Sequence, residues 1–282
     1  MNALTIAVNT AMFDGHDTET AFQTIRECGF SAVELAYNQG YVGNISPALF
    51  SDENADNINA LLERYQLTTH ALGATMNLGG RDAIEQFRLR IRFASLIGAE
   101  CLTVCIGAKT DRDIIVNNLR ELAPLAADHG CIICIENGGD PNYGLFSLAQ
   151  DGCQLLDEIG HPAVAFNIDA GNLVSLCPDV DPIAETLAML PWARHCHIKD
   201  VERRDDEFWF PAIGSGELDF EPLLQAMEGK NIPCSLEIPL RMHRQNDTLA
   251  VRSDHPVSLD TIRRTLRDSR STLQKWLTRV VK

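Results

Sequence analysis

The chain has 282 residues, 45% of them hydrophobic, and a formal net charge of -15 at pH 7. That length suits one α/β barrel with a full core, so a single domain over residues 1–282 is expected, and the acidic balance excludes a nucleic-acid partner, which needs a basic footprint. No apolar run is long enough to cross a bilayer and no export signal is visible, so the expectation is a cytoplasmic protein without a membrane partner.

In chain order, Thr5 to Thr10 reads as a first strand ending near Asn9, followed by a helix from about Asp17 that stops at Gly29. Ala32 to Ala36 is strand two, carrying Glu34. A helix with Ile58, Leu61, Leu62 and Tyr65 on one face leads to strand three, Thr68 to Gly73, with His70 inside it. Arg81 to Gly98 is an amphipathic helix, and Cys101 to Ile106 is strand four. Asp111 is placed to cap the next helix, which Gly130 ends. Strand five, Cys131 to Glu136, is followed by a long Gly, Asn and Pro loop and a helix over about 148–159. Strand six ends in Asp169-Ala170-Gly171-Asn172, and Asp181-Pro182 opens the sixth helix in cap-then-proline order.

Strand seven is His195-Cys196-His197-Ile198-Lys199-Asp200, whose alternation puts His195, His197 and Lys199 on one face. An acidic, aromatic loop, Val201 to Phe210, comes next, then Ile213-Gly214-Ser215-Gly216, with Asp219 as cap of helix seven. Strand eight carries Glu237, and a helix over 258–280 closes the chain. Eight strands alternate with eight helices at a spacing of roughly 25 to 40 residues, the rhythm of a (β/α)8 TIM barrel. A dinucleotide-binding sheet would need a glycine-rich turn after strand one, and residues 9–15 supply none.

In a barrel, Asn9, Glu34, His70, Glu136, Asp169, His197 and Glu237 all fall near the C-terminal ends of strands, the face that carries barrel chemistry. Glu136, Asp169, His197 and Glu237 come from strands five to eight, one arc of the ring. Three crowded carboxylates repel one another unless a cation sits among them. The set therefore reads as a site for one divalent metal ion, with Mn²⁺, Mg²⁺ or Co²⁺ suited to three oxygens and one nitrogen, and Zn²⁺ admitted. The nine cysteines, an odd number, lie mostly in apolar runs and read as reduced, buried thiols. Cys131 and Cys134 have redox-motif spacing, but on a strand they point to opposite faces.

The motifs Glu136-Asn137, Asp169-Ala170-Gly171-Asn172, His197-Ile198-Lys199-Asp200, Ile213 to Phe220 and Leu236-Glu237 resemble those of the xylose-isomerase-like TIM-barrel superfamily. The Asp-x-Gly-Asn form is most similar to the L-ribulose- or L-xylulose-5-phosphate 3-epimerase branch. The resemblance implies that Glu136, Asp169, His197 and Glu237 bind one metal and that Glu136 and Glu237 double as the acid/base pair. It also puts Asn172 where ketose 3-epimerases usually carry a histidine that touches substrate. The implied activity is isomerisation or epimerisation of a small ketose or ketose phosphate, by proton transfer through a metal-stabilised enediolate.

The expected substrate-binding residues are Asn9, Glu34, His70, Asn172, Lys199 and Trp209. Lys199 has two readings, contact with a substrate oxygen or an ion pair with Glu237 or Asp169. Gly214-Ser215-Gly216 either holds a phosphate or makes a tight turn, and Phe208 to Phe210 either cover the sugar or pack a long loop. The alternative activity is an inosose-type keto-polyol dehydratase, which shares the first proton abstraction. A non-enzymatic sugar-binding barrel would have lost a ligand or one of the acid/base pair, and an abasic-site endonuclease would want more histidines and a basic groove. A homo-oligomer is left open.

Overall fold

The protein is described from a computed structural model covering residues 4–43, 45–245 and 249–280. Its strands in chain order are β1 (Ile6–Asn9), β2 (Ala32–Ala36), β3 (Thr68–Gly73), β4 (Cys101–Val104), β5 (Ile132–Glu136), β6 (Val164–Asp169), β7 (Ala193–Ile198), β8 (Glu202–Arg204), β9 (Glu207–Trp209), β10 (Cys234–Leu236), β11 (Met242–Arg244) and β12 (Ala250–Arg252). Eight of them close a parallel barrel in the order β1-β10-β7-β6-β5-β4-β3-β2. This is the expected α/β TIM barrel, and each of its strands lies within two residues of its expected span. No helix among the described residues is long and apolar enough to cross a membrane.

The helices are α1 (Thr18–Glu27), α2 (Asp52–Tyr65), α3 (Ala83–Ile97), α4 (Arg112–Asp128), α5 (Ala149–Ile159), α6 (Ala170–Leu176), α7 (Pro182–Met189), α8 (Glu221–Met227) and α9 (Leu259–Val280). Their apolar faces, with Phe22, Ile25, Phe87, Ile91, Leu119 and Leu266, pack into one core with the outward residues of the strands, such as Val8, Leu102, Ile133 and Phe166. Burying each large side chain contributes roughly 1.5 to 3 kcal/mol. Cys131 belongs to that outer layer. Cys134 packs instead with Ala71 and Cys101 in a separate small cluster, as expected for opposite faces of β5.

Of three expected helix caps, two need correcting. Asp111 precedes α4 but makes no side-chain cap, because a 3-10 turn over Lys109–Asp111 runs directly into the helix. Asp181 does cap α7, accepting from the backbone N–H of Ile183 and Ala184. Asp219 sits one residue further out than expected: Phe220 is the cap of α8, and Asp219 accepts from Glu221 N. The extra helix, α6, starts straight after β6, with the Asp169 side chain accepting from Asn172 N at 3.1 Å.

The larger departure is at residues 201–210, expected as loop. They form the β8–β9 hairpin, turned at Asp205 with φ 53°, and β9 pairs antiparallel with β11, which pairs with β12. The resulting four-stranded sheet, order β12-β11-β9-β8, stands at the C-terminal mouth of the barrel beside β7 and β10.

Candidate active site

The barrel interior at β5, β6, β7 and β10 is polar. Asn167 Oδ1 meets His195 Nδ1 at 2.9 Å, and His195 Nε2 meets Ser235 Oγ at 3.1 Å. Burial pushes the His195 imidazolium down to about 4, against the pull of Glu34, so His195 is neutral at pH 7 and serves this lower layer. One layer higher, His197 Nδ1 lies 3.3 Å from Glu136 Oε2, 3.5 Å from Glu237 Oε2 and 3.8 Å from Asp169 Oδ2. The sequence places these four side chains on adjacent strands, and the structure brings one donor atom of each within 4.8 Å of the others.

The donor set fits a divalent cation on three counts. Asp169 Oδ2 is buried without a hydrogen bond, although Lys199 Nζ approaches it to 2.6 Å. The other imidazole nitrogen, His197 Nε2, faces Glu34 at 3.1 Å, and Glu34 in turn accepts from Thr103 Oγ at 2.6 Å. A carboxylate behind a histidine fixes the tautomer that leaves the opposite nitrogen free to ligate. Finally, three oxygens and one nitrogen match a hard or borderline ion.

Electrostatics tie the set together. Burial, with Glu136 and Glu237 beside it, lifts Asp169 to about 7 despite Lys199 and His197. Burial also raises Glu136, but the charge and hydrogen bond of His197, with Lys199 nearby, outweigh it and hold Glu136 down at about 2. His197 is raised well above its usual value, since Glu237, Glu34 and Glu136 together overcome its burial. In the metal-free protein near neutral pH, His197 therefore keeps a proton, and Asp169 holds one below about 7. A cation needs both groups deprotonated, so binding must expel protons. Affinity for Mg²⁺ or Mn²⁺ is expected to fall as pH drops through 7. Titration calorimetry in buffers of different ionisation heat would show release of at least about one proton per ion at pH 6.5; no release would contradict the protonation pattern.

Above the set opens a cleft of about 530 Å³, counted out to its mouth, and of the four only Glu136 and Glu237 line it. Asn172 and Lys199 complete its floor. Asn172 Nδ2 donates to Glu136 Oε1 at 2.7 Å, and Asn172 Oδ1 accepts from Lys199 Nζ at 2.9 Å. Lys199 also donates to Glu237 Oε2 at 2.7 Å, so the ion-pair reading of this lysine holds while its side chain still faces the cleft.

Four other expected residues are not on the cleft wall. Glu34 is fully buried behind His197, since it stands in the middle of β2 and not at its end. Asn9 Oδ1 accepts from Ala11 N at 2.9 Å, while its Nδ2 is buried without a hydrogen bond. His70 sits at the register shift in the β2–β3 pairing, three residues before the end of β3. Trp209 stacks on His243, ring centroids 4.5 Å apart and 9° from parallel, and it is His243 that lines the cleft.

The structure adds residues that the strand pattern did not mark. Asn167 Nδ2 donates to Glu136 Oε2 at 2.9 Å, so both oxygens of this carboxylate are held by amides. Arg244 of β11 donates to Asn172 Oδ1 at 2.8 Å, over a glycine, Gly139, where a Cβ would fall 1.9 Å from its Nη1. Asp200 decides between the two readings of the Gly214-Ser215-Gly216 segment. Its carboxylate accepts from the backbone N–H of Val201, Gly214, Gly216 and Leu218 at 2.8 to 3.1 Å. The donors a phosphate would need are already committed, and a Cβ on Gly216 would meet Asp200 Oδ1 at 2.3 Å. The glycines make a tight turn around an internal anion.

A stretch of 98 residues, 35% of the chain, is 26% identical to a 3-dehydroshikimate dehydratase of Bacillus anthracis; the match spans about a third (33%) of that relative's length. In structure, the chain is similar to a D-psicose 3-epimerase of Clostridium cellulolyticum H10 solved with D-tagatose, at TM-score 0.75 and 16% identity, covering 97% of this chain and 99% of that one. It is also similar to a xylose isomerase-like TIM barrel protein of Mycobacterium smegmatis in complex with magnesium, at TM-score 0.72 and 18% identity, covering 99% and 98%. At such identities the likeness is one of fold. The family model for the xylose isomerase-like TIM barrel matches residues 22–255, and the chain belongs to that family.

Proposed function

We propose that the protein is a metal-dependent enzyme that moves a proton at a carbon next to the carbonyl of a small polyhydroxy ketone, as a sugar isomerase or epimerase. The observation that carries this reading is the placement of Glu136 and Glu237: both belong to the ligand set, and both face the cleft. A divalent ion held by Glu136, Asp169, His197 and Glu237 would supply Lewis acidity toward substrate oxygens. Mg²⁺ and Mn²⁺ suit the donors best.

The protein's own groups do the rest. Glu136, pinned through both oxygens by Asn167 and Asn172 and facing the cleft, is the base. Glu237, paired with Lys199, lies across the cleft floor to return the proton or take one from the other face. His195 stays neutral beneath and holds the interior in register through Asn167 and Ser235.

A second reading, a dehydratase of a cyclic or open keto-polyol, is supported by the partial match to a 3-dehydroshikimate dehydratase. Both begin with the same proton abstraction, so one experiment addresses both. Incubated in D₂O with Mg²⁺ or Mn²⁺, the protein is expected to wash deuterium into at least one member of a panel of ketoses, ketose phosphates, inososes and dehydroshikimate. Subsequent loss of water marks the dehydratase; absence of exchange across the panel would remove the enolising reading.

A further inference from the structure

We infer that the substrate of this cleft carries a carboxylate, and that Arg244 is the group that receives it. The inference deepens the proposed reading of the site as an enolising centre, but it stands on a different wall of the cleft.

Arg244 is 6% exposed and lines the cleft. A guanidinium stays charged under all ordinary conditions, and a buried charge is costly unless an opposite charge answers it. Here none does. Among the described residues, every hydrogen-bond partner of Arg244 is neutral: Gly139 O at 2.7 Å, Ser175 Oγ at 2.9 Å and Asn172 Oδ1 at 2.8 Å. No carboxylate of a described residue lies within ion-pair distance of it, whereas Arg241, on the same strap of chain, pairs with Asp14 at 3.1 Å. The site's own carboxylates have nearer cations, His197 for Glu136 and Lys199 for Asp169 and Glu237.

The three neutral acceptors fix the plane of the fork, and the ring of Phe210, 5.7 Å from the guanidinium carbon, backs it. Gly139 lets the Nη1 edge sit flush on the backbone. An unanswered, oriented cation on a cleft wall is what a planar anion needs, and a guanidinium edge matches a carboxylate. A phosphate dianion fits less well, since the backbone amides that would share its load are taken by Asp200.

The test is binding to metal-free protein, so that no carboxylate is drawn by a metal ion. Calorimetric or dialysis titrations would compare gluconate, its neutral isostere gluconamide, and sorbitol 6-phosphate. Gluconate is expected to bind at least about tenfold more tightly than gluconamide, with sorbitol 6-phosphate no tighter than gluconamide. In Arg244→Met the preference for gluconate should vanish. If that variant does not fold, the wild-type comparison alone decides. Equal affinity for gluconate and gluconamide, a preference for the phosphate, or a carboxylate preference that survives in Arg244→Met would each overturn the inference. Failure of deuterium exchange would leave a gluconate preference standing, and exchange confined to neutral ketoses with no gluconate preference would remove the carboxylate alone.

Discussion

If the proposed function holds, Glu136→Gln is expected to cut deuterium exchange into substrate by at least about a thousandfold and to abolish binding of a divalent ion. The substitution preserves shape but removes the charge. It also turns an amide NH₂ toward donors, because Asn172 Nδ2 and Asn167 Nδ2 already occupy the two oxygens. Glu237→Gln should fall in the same range, since it removes a ligand, the second cleft carboxylate and a partner of Lys199 together. The double variant should be little worse than either single one, because groups that work as a unit do not add. Exchange rates followed by NMR and metal content of the purified variants would check this. Full metal and full exchange in both single variants would end the assignment.

Asp200→Ala is expected to cost about 3 to 5 kcal/mol of stability, although Asp200 lies outside the ligand set. Four backbone N–H groups converge on its carboxylate, and alanine leaves them without an acceptor in a segment where Asp200 is fully buried. The turn before α8 would loosen, and Lys199, the preceding residue, would lose its fixed exit from β7. Asp200→Asn should recover part of the loss, since one oxygen still accepts. Urea unfolding would show the order wild type, Asn, Ala; an Ala variant within about 1 kcal/mol of wild type would mean that the turn holds itself.

The architecture was legible in the sequence because two periods alternate along it, apolar runs with carboxylates at their ends and helical faces closed by Gly29, Gly98 and Gly130. Four members of the site were legible for the same reason: Glu136, Asp169, His197 and Glu237 interrupt runs that would otherwise be aliphatic. Their neighbours were harder. Glu34 also interrupts an apolar strand, but it stands in the middle of β2 and not at its end, and only the assembled barrel shows that this depth sets it behind His197. Strands of three residues carry little alternation, so β8 and β9 passed as loop and the stretch holding β11 and β12 was given no element, whereas the equally short β10 was marked by its apolar run. The pairing of His243 with Trp209 depends on the turn geometry around both. Arg244 could be read only once that pairing was known.

The outer sheet has a consequence for how such an enzyme changes over generations. Pro239, Met242, His243, Arg244 and Ala250 border the cleft from a strap that follows β10, while Glu136, Asp169 and His197 are rooted in the strands of the ring itself. Most of the buried cluster and one wall of the cleft above it thus lie in separate stretches of the sequence. Substitutions confined to that strap could reshape the cleft wall from one lineage to the next and leave the cluster on β5, β6 and β7 untouched.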